Sequence, residues 1–235
     1  MAGRKEGGKL YRDAVQRAVS PVLLKTVKDA AAAISSDVAL LFFGSDDCPS
    51  ASLDTLQICQ IISDAGPKIG FQTRDSKNDK AKCEELGVLF FPALVIQGKN
   101  RGRLRFLGTP SGYGLQMLVE ALALAASGES GLSDRLRRLL GSVKRPVALR
   151  IFISPESEYC RRTALFGMRL AVENGLFSTE VINHLDFPVI SKRYKIGAVP
   201  RTVVNERGEI NGAIDGEDFL ERMLGALVAQ AEPYR

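Results

Sequence analysis

Tryptophan is absent from this chain, and histidine occurs once, at His184. With no Cys or His at metal-ligand spacing around it, His184 reads as a surface residue and no metal site is expected. No Ser/His/Asp set, phosphate-binding glycine loop or dinucleotide fingerprint is present, and no cofactor is implied. Long apolar runs are missing too. None approaches the ~20 residues needed to cross a bilayer, and Met1 to Lys9 is charged and Gly-rich, unlike a signal core. A cytoplasmic chain with no membrane partner is the expectation. The four cysteines are too few for a disulfide framework.

What is present is an ordinary globular mixture. Hydrophobic residues make up 45% of 235 positions, enough for one large domain or two of common size. The net charge is +5, with basic clusters at Arg101–Arg105 and Arg135–Arg138. Neither cluster is interleaved with aromatics or set in a recognition helix, so both read as solvated faces and nucleic acid is not expected as a partner.

One segment is used twice. Val38–Cys48 (VALLFFGSDDC) returns at Val147–Ser157 (VALRIFISPES), displaced by 109 residues. Both copies begin as short, continuous apolar runs, as in strands covered on both faces. In each, a four-residue motif then opens a helix: Cys48-Pro49-Ser50-Ala51, then Ser157-Glu158-Tyr159-Cys160. Apolar periodicity predicts helices over Leu53–Asp64 and Thr163–Glu173. Second strands follow at 69–73 and 179–182, then short helices at about 77–86 and 188–195. Each copy next reaches a proline at the mouth of a strand, Pro92 and Pro200, followed by a hairpin turn and a closing helix (about 112–126 and 217–230).

The spacings agree. Cys48 to Pro92 is 44 residues and Ser157 to Pro200 is 43, while Pro92 to Gly108 and Pro200 to Gly216 are both 16. Residues 126–131 have the composition of a short flexible linker. A helical extension over 9–36, interrupted near Pro21, precedes the first copy, and residues 133–141 are its counterpart. The order argues for an α/β fold with two tandem units, 1–128 and 129–235, each a mixed central sheet flanked by helices.

A buried strand, a thiol motif at the next helix start and a strand-leading proline about 44 residues later resemble the thioredoxin fold. Two such units in one chain resemble the tandem glutaredoxin-like protein disulfide oxidoreductases of thermophilic prokaryotes, over roughly residues 10–228. A weaker resemblance is to the tandem module at the N-terminus of alkyl hydroperoxide reductase flavoproteins. The resemblance implies that Cys48 holds the nucleophile position and Cys160 the resolving one. Ala51 and Ser157 stand where each unit's other cysteine would be. Pro92 and Pro200 match the cis-proline that faces the motif, and with Pro49 and Tyr159 they line the implied substrate groove.

Thiol–disulfide exchange needs one thiolate to attack and a second thiol to release the mixed disulfide. With Ala at position 51, release from Cys48 falls to an external thiol, which is monothiol chemistry. Cys160 could resolve only if the two Cα atoms came within about 7 Å; a contact between two chains, as in a homodimer, stays open. Cys59 and Cys83 read as buried small apolar residues. Two functions follow: a thiol–disulfide oxidoreductase acting through Cys48 on protein thiols or disulfides, or a redox-inactive module that binds a peptide segment of a partner.

Overall fold

In the computed structural model, which describes residues 20–231, six of the seven residues of strand β1 (Val38–Gly44) are buried. Val38, Leu40 and Phe42 enter one apolar cluster, while Leu41 and Phe43 enter another. A strand covered on both faces needs a run without polar alternation, which explains the first half of the repeat. Helix α1 (Pro21–Ala32) precedes it, with proline in the first turn. The part of the proposed extension before residue 20 lies outside the described residues.

After β1 come α2 (Pro49–Ala65), β2 (Ile69–Asp75), α3 (Lys80–Leu86), β3 (Ala93–Gln97), β4 (Arg103–Leu107) and α4 (Gly112–Ser127). The second half repeats the order with α5 (Asp134–Leu140), β5 (Val147–Ile153), α6 (Glu158–Glu173), β6 (Phe177–Asn183), α7 (Pro188–Arg193), β7 (Arg201–Val204), β8 (Gly208–Asn211) and α8 (Gly216–Ala231). The α/β expectation holds: a mixed sheet with helices on both faces.

The eight strands form one continuous sheet, in the order β2-β1-β3-β4-β6-β5-β7-β8. Each half contributes four neighbours in the same internal order. β1 pairs antiparallel with β3 and β3 with β4, while β4–β6 and β5–β6 are parallel. Therefore β1, β4, β6 and β5 all point the same way, and both motif helices leave from the same edge of the sheet. Side chains of α1, α2, α4, α6 and α8 share the cluster on one face, and those of α3 and α7 the cluster on the other. No helix among the described residues is long and apolar enough to cross a membrane.

Three sequence expectations require correction. Arg105, read as part of a solvated cluster, is buried at the join between the halves. It lies opposite Glu180 in the β4–β6 register, and Glu180 lies opposite Arg150 in the β5–β6 register. The Glu180 carboxylate accepts from both guanidinium groups, 3.0 Å from Arg105 Nε and 3.1 Å from Arg150 Nε. Arg105 also donates to Leu86 O and Ser178 Oγ, and Arg150 pairs with Glu206. Arg105 and Glu180 can be buried because opposite charges meet them in register.

The segment 126–131 is pinned rather than flexible. Ser130 is fully buried, and its hydroxyl donates to Glu173 and accepts from Leu132 N. Gly128 and Gly131 adopt φ of 75° and 65°, so glycine serves conformation here, not mobility. Finally, Gly216 is not the counterpart of Gly108. The Gly108 amide donates to Pro92 O, and it is the Gly212 amide that donates to Pro200 O. The second hairpin has the shorter connection, which made an accidental 16-residue match.

Candidate functional site

The chain leaves β1 at Gly44 and turns through Ser45, whose hydroxyl accepts from Asp47 N at 3.2 Å. Pro49 then starts α2 with its fixed φ and missing donor, leaving Cys48 as the N-cap residue with no side-chain cap bond. Cys48 is half-buried, whereas Cys59, Cys83 and Cys160 are buried. The register pair Phe43↔Ala93 sets Pro92 beside the end of β1, on the edge where Cys48 lies. The Phe91–Pro92 and Val199–Pro200 peptide bonds are both cis.

Ser52 belongs to this site, although sequence reasoning did not single it out. Its Oγ lies 3.4 Å from Cys48 Sγ, donates to Ser45 O at 3.2 Å and accepts from Ser45 N at 3.1 Å. The usable signal was its spacing, four residues past the cysteine on one helix, which puts both on one face. Its hydroxyl can turn from the Ser45 carbonyl toward a thiolate at Cys48. Ala51, lacking a polar side chain, offers its carbonyl to Thr109 Oγ1 at 3.5 Å, and Thr55 bonds the same hydroxyl at 3.2 Å. Thr109 N in turn donates to Asp186 at 2.7 Å, so the Cys48 helix is fastened to the second half.

The second motif is built differently. Ser157 caps α6, its Oγ accepting from Cys160 N at 3.3 Å, a bond that Cys48 does not make to its own helix. Cys160 is fully buried and its Sγ accepts from Ser154 N at 3.4 Å. The turn before the motif is tied to the first half: Pro155 O accepts from Tyr113 N at 2.8 Å. Gly112, at φ 49°, brings its backbone so close to Pro155 O that a Cβ there would lie 2.6 Å away. Tyr159 is 65% exposed and Pro200 is buried. Arg161 bridges Glu158 and Glu120 on α4, which holds the Glu158 carboxyl below its ordinary range. A Ser157→Ala variant should therefore lose about 1 kcal/mol of stability, measured by denaturant unfolding; an unchanged midpoint would deny the cap any weight.

Burial pushes the Cys59 thiol far up from its usual range and the Cys83 thiol up as well. Buried and protonated, both are inert, as the sequence implied. Cys48 and Cys160 follow β1 and β5, which stand four positions apart in the sheet. At ~4.8 Å per strand that is roughly 19 Å, against the ~7 Å limit for a disulfide. The fold separates the two thiols within one chain. Among the described residues no cluster of His, Cys, Asp and Glu could hold a metal ion.

Comparison with known proteins agrees with this geometry. The thioredoxin domain family matches residues 147–225, within the second half of the chain. A protein disulfide oxidoreductase from Aeropyrum pernix has a similar structure, with TM-score 0.80 and 23% identity over 92% of this chain and 96% of that one. The alkylhydroperoxide reductase AhpF from Enterococcus faecalis is similar at TM-score 0.78 and 21% identity, covering 87% of this chain and 98% of that one. No curated protein sequence matches the chain. At these identities the likeness establishes the fold: the chain has the thioredoxin architecture throughout.

Proposed function

We propose that this chain is a thiol–disulfide oxidoreductase-like protein that works through Cys48 by monothiol exchange, and that its two units, 1–128 and 129–235, have divided roles. The observation that carries this reading is the contrast among the four cysteines. Cys48 alone is partly open to solvent, at a helix start and next to the Pro92 turn, while the other three are buried.

In the proposed reaction the Cys48 thiolate attacks a protein disulfide. Its sulfur bonds to one substrate sulfur, and the other leaves as a thiolate. An external thiolate then attacks Cys48 Sγ, so that the substrate sulfur leaves as a thiolate. A second external thiolate attacks the external sulfur now bound to Cys48, releasing the Cys48 thiolate and forming the external disulfide. Ser52 Oγ stands within donating distance of the reacting sulfur. Protein thiols and disulfides are the proposed partners.

The second unit is assigned a non-catalytic part. The hydroxyl of Ser157 is committed to the helix, and Cys160 has no exposed surface. Insulin-disulfide reduction by the natural chain and by Cys48→Ser tests the reading. The variant should fall to the rate of the external thiol alone; equal rates would end the proposal.

A further inference from the structure

The edge that carries Cys48 continues into the second half without a break. From β1 the strand ends met in turn are Pro92 before β3, Gly108 after β4 and His184 after β6. The two halves touch along this line. Asp186 binds Thr109 N, and the ring of Phe90 meets that of Phe187 edge-on, 6.4 Å between centroids. Beside these contacts stand large apolar side chains open to solvent: Leu89 at 66%, Leu185 at 61% and Val189 at 80% exposure.

Next to Leu185 an open cleft of about 600 Å³ lies between the end of β6 and α7. Leu185, Pro188 and Ile196 give it an apolar lining, while Lys192 and Lys195 give it a cationic rim with no acidic residue in the lining. Near Cys48 the exposed charges have the other sign, Asp46 and Asp47, with Asp46 paired to Lys77. An apolar pocket rimmed by lysines, set beyond the end of β6 on the sheet edge that also carries Cys48, is complementary to a bulky apolar side chain with an acidic neighbour.

We infer that this cleft is a substrate subsite for the Cys48 reaction, supplied by the second half. Its occupant is an extended polypeptide segment carrying an apolar residue followed or preceded by Asp or Glu. Resting on the exchange chemistry proposed above, the inference names the class of protein substrate that chemistry takes. The spacing follows from the sheet. β1 and β6 are three positions apart, or roughly 14 Å at ~4.8 Å per strand, and an extended chain advances ~3.3 Å per residue. At least four residues therefore separate the cysteine being exchanged from the side chain in the cleft.

The test uses the full chain and two synthetic peptides, each with its cysteine activated as a mixed disulfide with a chromogenic aryl thiol. One has Leu-Glu beginning four residues from the cysteine, the other Leu-Lys. When Cys48 attacks the peptide sulfur, the aryl thiolate departs and is read by absorbance. The natural chain should react with the Leu-Glu peptide roughly tenfold faster, a difference of about 1.4 kcal/mol, and added salt should shrink the ratio. In Lys192→Glu/Lys195→Glu the ratio should fall to one or invert. Because the ratio is taken within one protein, a general loss of activity does not move it. Equal rates for the two peptides in the natural chain, or an unchanged ratio in the double variant, would overturn the subsite. Failure of the natural chain to release aryl thiolate from either peptide, with Cys48→Ser identical, would instead overturn the exchange reading itself.

Discussion

An Ala51→Cys variant is expected to reduce insulin disulfides at least tenfold faster than the natural chain when the external thiol is held at about 0.1 mM. Position 51 lies one turn along α2 from Cys48. The corresponding residue of the other half shows where a sulfur there would sit: Cys160 Sγ takes the Ser154 amide, the counterpart of the Ser45 amide now held by Ser52. A tethered thiol has an effective concentration of ~1 mM or more, so release of the mixed disulfide would no longer wait for a collision. Turnover by Ala51→Cys that disappears in Cys48→Ser/Ala51→Cys would place the gain in the restored pair. If Ala51→Cys gains nothing, Cys48 does not present its sulfur to a substrate disulfide as proposed.

The second large effect concerns the join between the halves. Replacing Glu180 by leucine would leave Arg105, 10% exposed in its side chain, without the carboxylate it faces across the β4–β6 register. Breaking a buried pair in this way costs about 3–5 kcal/mol. At about 2–4 °C per kcal/mol for a chain of this size, the melting temperature should fall by roughly 6–20 °C. Replacing all three members together, as Arg105→Met/Glu180→Leu/Arg150→Met, should recover most of the loss, since no buried charge is then left alone. A Glu180→Leu protein that melts like the natural one would mean that the triad does not hold the halves in register.

The repeated strands were readable because burial on both faces demands an unbroken apolar run, and such a run stands out twice at a fixed displacement. The motif helices were readable from apolar periodicity, and in α2 a proline in the first turn, just after the thiol, marks the start locally. The join was not. It consists of β4 and β6, whose register pairs lie some 75 residues apart along the chain, and no local pattern announces a parallel pairing across that separation. For the same reason Arg105 looked like one member of a surface cluster, since its partners Glu180, Ser178 and Leu86 lie on other elements.

Glycine misled in two places. At 128 and 131 it provides left-handed backbone for a buried turn, a role that composition cannot distinguish from a loose linker. At 216 it matched a spacing set by unequal hairpins. At the candidate site, the sequence placed Cys48 and Pro49 at a helix start and Pro92 at the mouth of a strand, and their roles came from the resemblance. Ser52, Thr109 and Asp186 were missed because a hydroxyl or carboxylate acquires a role only from what folding brings to it.

The most direct test is to mix the chain with an excess of a disulfide-bonded peptide, quench with acid, and map the adducts by mass spectrometry. One adduct is expected, at Cys48, persisting until a small thiol is added, with Cys59, Cys83 and Cys160 recovered free. An unmodified Cys48, or a Cys48–Cys160 bond within one chain, would contradict monothiol exchange at Cys48.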